Sequence, residues 1–177
     1  MLIWHMRLFI AVAMSEENKD GLFKIQEQLR NKCLRGNFTR RGNFHITMAF
    51  LGEVQEEKLG TLFCIMEKIK FSPFEITFDR AGFFTHSRKE LWWIGPDPNS
   101  PALPLLEAIH LQLMNQLSDA GFNVDKRPFN THITMAREIR RQQPIVLDCP
   151  EIIVMVDRLR LMKSDHLGGL LTYTELK

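Results

Sequence analysis

The sequence predicts an α+β fold, and three observations lead to this prediction. Amphipathic helical stretches are interspersed with short apolar, strand-like stretches along the 177 residues. The strand-like stretches at the end of the chain follow one another without a helix between them, which favours antiparallel pairing. The pentapeptide HITMA occurs twice, with its copies 87 residues apart, which indicates two related halves.

The sequence of the first half of the chain predicts four successive elements. An apolar run at 8–13 fits a buried strand, and we prefer this interpretation of the apolar N-terminus to a secretion signal, because the run is short and has a single Arg before it. Residues 15–34 have apolar residues at helical spacing, and Ser15 is a suitable N-cap. A strand follows at 43–51 and is expected to end at Gly52. Residues 56–69 then form a second amphipathic helix.

The sequence of the second half predicts a similar mixture of helices and strands. Strands are expected at 74–78 and 91–94 with a charged loop between them, and a third helix at 105–117, closed by Gly121. Between these lies a turn-rich stretch at 95–104 with four prolines, which is the best candidate for an internal boundary. The remaining strand-like stretches are at 131–136, 152–162 and 170–176.

Composition and charge narrow the class of protein. A hydrophobic fraction of 45% and a charged fraction of 25% are ordinary for a globular chain and exclude disordered and fibrous classes. No uncharged apolar stretch is long enough for a membrane-spanning helix. Three widely spaced cysteines without a CxxC pair favour a reducing compartment, and we expect a cytoplasmic protein. The net charge of +2 is compatible with a polyanionic ligand without demonstrating one.

Each HITMA copy places polar and apolar side chains on opposite faces of a strand, because side chains alternate along a strand. The first copy has an apolar face and a face with one imidazole and one hydroxyl (Phe44, Ile46, Met48 and Phe50 against His45, Thr47 and Ala49). The second copy repeats this pattern (Ile133 and Met135 against His132, Thr134 and Ala136). Two such strands from related halves would line one cleft with two His and two Thr.

Two imidazoles in one cleft suit the hydrolysis of a phosphodiester without a metal or other cofactor. One would take a proton from water while the other gives a proton to the leaving oxygen, each transfer contributing roughly 10²–10⁴-fold. Threonine hydroxyls would bind the non-bridging oxygens. A lone strand histidine is more often structural, but the duplication favours catalysis for His45 and His132. A metal site is disfavoured, since each copy supplies only one good ligand. The other four histidines are interpreted as structural or solvated (His5, His86, His110 and His166).

At these residues the sequence resembles the 2H phosphoesterase superfamily, which is named for paired His-x-Thr-x motifs. It is most similar to the RNA 2′,3′-cyclic phosphodiesterases, also called 2′-5′ RNA ligases. The resemblance covers nearly the whole chain, in the stretches RLFIA (7–11), FHITMAFLG (44–52), GFF (82–84), LWWIG (91–95) and RPFNTHITMAR (127–137). It makes Met6 a candidate start, with residues 1–5 as an extension. Thr131 stands where the family often has proline, and the proline that often follows the first strand is absent, which affects substrate range more than reaction class.

The resemblance implies a bilobal, pseudo-symmetric fold in which two antiparallel β-sheets line a central cleft, with helices outside, as one two-lobed domain over 1–177. It implies hydrolysis of a terminal 2′,3′-cyclic phosphate to a 2′-phosphomonoester, with weak reversible 2′-5′ ligation as the related reverse chemistry. By analogy, His45 protonates the leaving 3′ oxygen and His132 activates water, while Thr47 and Thr134 bind phosphate oxygens. Arg137, just past the second motif, suits phosphate contact because its planar fork matches anionic oxygens.

Further candidates for RNA contact surround this core. Phe84 or Trp93 is a candidate for stacking on a terminal base, with core packing as the alternative for each. Two arginine pairs flank the motifs, although each arginine taken singly is more simply a solvated charge (Arg40 and Arg41, Arg140 and Arg141). The expected partner is RNA with a 2′,3′-cyclic phosphate end or a small cyclic nucleotide, and a monomer is expected.

Two alternative functions stay open at this point. The same site would also suit a 2′-5′ oligonucleotide phosphodiesterase or an enzyme for a small cyclic nucleotide, and substrate profiling separates these. The chain would otherwise be a non-catalytic module that binds RNA ends, whose binding should survive replacement of both motif histidines. Intact motifs argue against this module, because binding alone does not need two imidazoles.

Overall fold

A computed structural model describes residues 5–125 and 127–177, so residues 1–4 of the expected extension lie outside the described residues. Within these ranges the chain forms nine strands and three α-helices, in the order β1 (His5–Ala13), α1 (Glu16–Lys32), β2 (Arg35–Phe38), β3 (His45–Gln55), α2 (Leu59–Lys68), β4 (Phe74–His86), β5 (Lys89–Pro96), α3 (Leu103–Asp119), β6 (Ile133–Arg140), β7 (Ile152–Val156), β8 (Arg160–Leu167) and β9 (Leu170–Leu176). The predicted α+β class is confirmed. None of the described helices is both long and apolar enough to cross a membrane.

All strand pairings in the described residues are antiparallel, and the strands are ordered β7-β4-β5-β6-β3-β1-β8-β9, with β2 beside β6. The two expected sheets are the two halves of this one curled sheet. They are joined where Ile46 of β3 pairs with Ile133 of β6. Further along, β6 pairs with β2 instead of β3, so the two halves separate there. The two strands that carry HITMA therefore lie side by side where the halves meet.

The helices cover the apolar side of the sheet. Helix α1 packs against β7, β2 and β6, while α3 packs against β3 and α2. The buried residues of α1 recur at helical spacing (Leu22, Ile25, Gln26 and Leu29), as do those of α3 (Leu106, Ile109, Leu113 and Leu117). The predicted cap is confirmed, since the Ser15 hydroxyl accepts a hydrogen bond from the Asn18 backbone N–H. The opposite side of the sheet is left uncovered by helices at the HITMA strands.

Three predicted boundaries were wrong, for identifiable reasons. Gly52 does not end β3: it has a φ of +67° at an irregularity inside the strand, which continues to Gln55. The stretch 152–162 is two strands, because β7 pairs with β4 in one half and β8 pairs with β1 in the other. The charged loop predicted at 85–90 is mostly strand, since β4 and β5 form a long hairpin that turns at Ser87 and Arg88, both with positive φ.

Candidate active site

The junction between the two halves brings the predicted catalytic residues onto one face. Ile46 and Ile133 face each other and are fully buried. Because the strands are antiparallel, the residue before each isoleucine is opposite the residue after the other. His45 is therefore opposite Thr134, and Thr47 is opposite His132, on the uncovered face. The predicted cleft with two imidazoles and two hydroxyls follows from this single pairing. Its local two-fold symmetry passes between the two isoleucines.

Both imidazoles are held in the same tautomer. The Nδ1 atom of His45 lies 2.7 Å from the backbone carbonyl of Asn43, and Nδ1 of His132 lies 2.7 Å from the carbonyl of Asn130. A carbonyl oxygen can only accept, so Nδ1 carries the hydrogen in each ring. The Nε2 atom of each neutral ring is therefore the one with the free lone pair. Two groups able to take or give a proton at Nε2 are thus fixed in orientation.

The surroundings lower the pKa of both histidines. Burial lowers the pKa of His45 to about 4, and the positive charges of His132 and Arg137 act in the same direction. Burial also lowers the pKa of His132, again with a contribution from Arg137. Arg137 thus acts on both histidines, so the three side chains share one electrostatic environment. Both imidazoles are consequently neutral at pH 7.

The threonines differ in their present contacts. The Thr47 hydroxyl lies 2.8 Å from Nε2 of His45, and because this nitrogen is an acceptor in the neutral ring, the hydroxyl donates to it. Thr134 is only partly buried and pairs with Trp93 of β5. The Thr47 hydroxyl is therefore bonded to a reacting nitrogen, while Thr134 lies on the same strand face as His132.

Each motif contains a β-bulge at its methionine. In β3 the partners of Ile10 and Ala11 are Ala49 and Thr47, so Met48 is the extra residue. In β6 the partners of Trp92 and Trp93 are Ala136 and Thr134, so Met135 is the extra residue. A bulge shifts the alternation by one, so the residues after it exchange faces.

The bulges correct one sequence expectation. Phe50 was predicted on the apolar core face, but it is 40% exposed, while Ala49 and Leu51 are buried. In the second motif the same shift buries Ala136 and exposes Arg137. Arg137 thus belongs to the face of His132 and Thr134, as its predicted role in phosphate contact requires, and among the described residues its side chain has no ion pair.

Helix side chains hold the two bulges in place. The carbonyl of Met48 lies 2.7 Å from Nδ1 of His110 on α3, and the carbonyl of Met135 accepts from the fully buried Gln26 on α1 at 2.7 Å. The interpretation of His110 as structural is confirmed, since its ring also stacks on Phe129. Gln26 was missed by sequence reasoning. A glutamine amid the apolar residues of an amphipathic helix was the available signal, because buried amides need partners.

The β4–β5 hairpin supplies an aromatic wall beside His132. The Phe84 ring meets the His132 ring edge-on with centroids 5.6 Å apart, and it lies 5.5 Å from the Trp93 ring. Trp93 lies flat over Gly82, where a Cβ would come within 2.3 Å of the indole. Phe84 is 42% exposed despite these contacts. The predicted stacking residue is therefore placed at the site with part of its ring free.

The other half encloses His45 more completely. Phe9 and Tyr173 flank the imidazole, with ring centroids at 4.8 and 5.2 Å. The buried Asn43 side chain holds β9 in place, because its amide donates to the Leu171 carbonyl and accepts from the Tyr173 backbone N–H. Sequence reasoning missed both Asn43 and Tyr173. The longer repeat N-x-H-I-T-M-A, which starts at Asn43 and Asn130, was a signal for the first.

The flanking arginines contribute less than the sequence suggested. Arg41 forms ion pairs with Glu16 and Asp20 on α1, at 2.7 Å each. Arg141 binds Glu90 and lies over the Phe83 ring. The charges of these two are therefore engaged within the protein. Arg40 donates to the Leu171 carbonyl and the Thr172 hydroxyl of β9, while Arg140 is exposed.

The site was predicted to work without a metal, and the placement of side chains that can bind a metal bears on this prediction. Across residues 5–125 and 127–177, no three His, Cys, Asp or Glu side chains are grouped so as to hold a metal ion. The two motif histidines have carbonyl, hydroxyl and aromatic neighbours instead.

Comparisons with known proteins show what the whole chain is similar to. The family model described as LigT like Phosphoesterase matches residues 12–93. The chain is 32% identical over 145 residues to RNA 2′,3′-cyclic phosphodiesterase of Archaeoglobus fulgidus, which covers 81% of this chain and 78% of that protein. It is 29% identical over 167 residues to the protein of the same name from Thermotoga maritima, covering 90% and 87%.

A solved structure extends the likeness to the fold. E. coli LigT complexed with 3′-AMP matches with a TM-score of 0.82 and 28% identity, over 98% of this chain and 97% of that one. The fold is thus that of a known group of hydrolases, and the chain belongs to the LigT-like phosphoesterase (2H phosphoesterase) family.

Proposed function

We propose that this protein hydrolyses the 2′,3′-cyclic phosphate at the end of RNA to a 2′-phosphomonoester, by a two-histidine mechanism that needs no metal. The observation that carries the proposal is the pair of imidazoles that face one cleft with Nδ1 tied to a carbonyl, which leaves the lone pair of each neutral ring on Nε2. The names of the relatives, which are RNA 2′,3′-cyclic phosphodiesterases, supply the substrate class.

The proposed reaction uses the two Nε2 atoms in turn. Nε2 of His132 takes a proton from water, and the water oxygen forms the new bond to phosphorus. The bond between phosphorus and the 3′ oxygen breaks on the opposite side, and Nε2–H of His45 gives its proton to that oxygen. The product has a 3′ hydroxyl and a 2′-phosphomonoester. In ligation a 5′ hydroxyl would attack phosphorus in place of water, with His132 taking its proton and His45 protonating the leaving 3′ oxygen, and this reaction is expected to be weak.

The assignment of His45 as the acid requires this imidazole to be protonated when it reacts. Burial lowers the pKa of His45 to about 4, so the ring must gain its proton together with the substrate. An anionic phosphate between the rings favours the protonated form and so opposes the effect of burial. Deprotonated His132 then serves as the base.

Three further side chains would stabilise the phosphate. Thr47 is bonded to Nε2 of His45 and Thr134 lies on the strand face of His132, so both hydroxyls can donate to the non-bridging oxygens. Arg137 lowers the pKa of both histidines, which supports a position from which its guanidinium reaches the same oxygens. Phe84 offers its free surface to a base. Because each half supplies one histidine, we propose that residues 1–177 work as one two-lobed domain, with a monomer as the working unit.

A cleavage assay tests the proposal directly. Wild type and the variants His45→Ala and His132→Ala are incubated in EDTA with a short RNA that ends in a 2′,3′-cyclic phosphate. We expect a 2′-phosphate product from wild type and a loss of about 10²–10⁴-fold in each variant. His86→Ala, in the exposed hairpin turn, is the matched control and should keep wild-type activity.

Other outcomes would contradict the proposal in distinct ways. Tight RNA binding without product from any protein would indicate an RNA-end-binding module. Turnover of a 2′-5′ oligonucleotide or of a small cyclic nucleotide, but not of the cyclic RNA end, would keep the site and replace the substrate. Activity that disappears in EDTA and returns with a divalent cation would refute metal independence.

A further inference from the structure

Phe50 is an exposed ring on the cleft face of the first half. It lies directly opposite Phe9 in the β1–β3 pair, so both side chains point to the same side of the sheet. The Phe9 ring contacts His45, which places that side at the cleft. The irregularities of β3 around Met48 and Leu51 are what turn a large apolar side chain outward at this position.

Arg7 completes a small aromatic and cationic surface with Phe50. Its guanidinium carbon lies 5.3 Å from the centre of the Phe50 ring. Glu53 is opposite Arg7 in the strand pair, yet within the described part of the chain no ion pair forms between them or with any other acid. The cation is therefore exposed and available to an anion.

The two halves differ here in an informative way. Phe50 and Arg137 occupy the same position relative to their motifs, five residues after the histidine, and both are exposed by the bulge. The second half thus exposes the guanidinium of Arg137 near its threonine. The first half instead exposes the ring of Phe50, with the guanidinium of Arg7 beside it. A site for phosphate in one half and for a base in the other is a division suited to an extended nucleic acid.

We propose that Phe50 and Arg7 form a second RNA subsite, which binds the nucleotide on the 5′ side of the terminal one. The proposal rests on the proposed function and deepens it, since it makes an oligonucleotide a better substrate than a cyclic mononucleotide. Phe50 stacks on the base, and Arg7 contacts the intervening phosphate.

The direction of the RNA follows from the proposed mechanism. The leaving 3′ oxygen belongs to the ribose and lies on the side of His45, so the chain leaves the reaction centre through the His45 half. Phe50 is three residues beyond Thr47 on the same strand, a distance of the order of 10 Å. A neighbouring nucleotide attached to that ribose reaches this far.

Substrates of two lengths test the subsite. The kcat/KM ratio between a dinucleotide that ends in a 2′,3′-cyclic phosphate and the matching cyclic mononucleotide is measured for wild type, Phe50→Leu and Arg7→Gln. We expect the wild-type ratio to be well above one and to fall about 5- to 100-fold in Phe50→Leu, the range expected from the loss of one stacked base. In Arg7→Gln the ratio should also fall, with a salt dependence of binding reduced by about one phosphate contact.

Phe83→Leu is the matched control. Phe83 is 41% exposed and has the Arg141 guanidinium over its ring at 4.8 Å, but it precedes Phe84 on β4 and so points to the other face of the sheet. It should keep the wild-type ratio. An unchanged ratio in Phe50→Leu would overturn the proposal, and so would an equal loss on both substrates, since Phe50 would then serve the terminal nucleotide or the fold.

A binding measurement separates this proposal from the proposed function. Affinities for a dinucleotide and a mononucleotide with 2′-phosphate ends need no turnover. If wild type shows no hydrolysis, the proposed reaction fails, but a gain in affinity from the second nucleotide that Phe50→Leu abolishes would still support the subsite. Equal affinities of wild type for the two lengths would overturn it.

Discussion

The two halves of the molecule contain the same five residues, HITMA, yet they build two chemically different surroundings for them. In the first half the imidazole is flanked by Phe9 and Tyr173 and bonded to Thr47. In the second half the imidazole meets the edge of Phe84 and lies on the same face as the exposed Arg137. Identical motifs therefore do not make identical groups.

The difference follows from what packs around each motif. The β8–β9 hairpin reaches the first motif through Asn43 and places Tyr173 against the imidazole of His45. The long β4–β5 hairpin leaves the ring of Phe84 partly free beside His132. Burial therefore depresses the pKa of His45 further, to about 4. A duplicated motif can thus supply both an acid and a base, since the rest of each half sets the pKa.

The largest expected effect separates these two roles. A cyclic substrate with sulfur in place of the 3′ oxygen has a leaving group that departs without protonation. On the oxygen substrate, His45→Ala and His132→Ala should both lose about 10²–10⁴-fold. On the sulfur substrate, His45→Ala should recover most of its loss, because the acid is no longer needed, while His132→Ala should not. Release of the thiol is followed with a thiol reagent.

The opposite pattern would exchange the two assignments. Recovery in His132→Ala alone would make His132 the acid. No recovery in either variant would show that both histidines act at the attacking water or in holding the phosphate.

A second effect concerns stability. The folded-state pKa of His45 lies below its unfolded value near 6.5, so the unfolded chain binds more protons between these values. The contribution of His45 to the free energy of unfolding is fully present above pH 6.5, and about 3 kcal/mol of it is lost as the pH falls towards 4. The slope of the free energy of unfolding against pH is measured by denaturant unfolding at pH 7 and pH 4.5. This slope should be smaller in His45→Gln than in wild type.

The comparison between halves sharpens this test. His132→Gln should reduce the slope less, because the environment of His45 depresses its pKa more strongly. His86→Gln, in the exposed turn, should leave the slope unchanged. A larger change in His132→Gln than in His45→Gln would mean that the second half is the more desolvating one.

The fold class and the two His–Thr pairs could be predicted from the sequence, because both depend on local pattern. Alternation along a strand was enough to place His45 with Thr47 and His132 with Thr134. It was not enough for Phe50, since the bulge at Met48 depends on which strand pairs beside it and on a hydrogen bond from His110. Long-range contacts of this kind leave little trace in a single sequence.

The same reason explains the other misses. Tyr173 lies in the last strand, and only the path of the β8–β9 hairpin brings it to His45. Arg41 and Arg141 looked like contacts for a polyanion, but acids distant in sequence bind them. Local pattern thus predicts what a residue could do, and the tertiary fold decides what it is free to do.

The smallest expected effect concerns Arg137, whose charge acts on both motif histidines. Its positive charge lowers the pKa of His45 and of His132, in each case less than burial does. In Arg137→Gln both pKa values should therefore rise slightly, and the bell-shaped profile of kcat/KM against pH should move as a whole to higher pH. Arg140→Gln, an exposed arginine on the same strand, is the control and should leave the profile in place. Movement of only one limb would show that Arg137 serves a single half, and the site would then be less symmetric in its electrostatics than in its sequence.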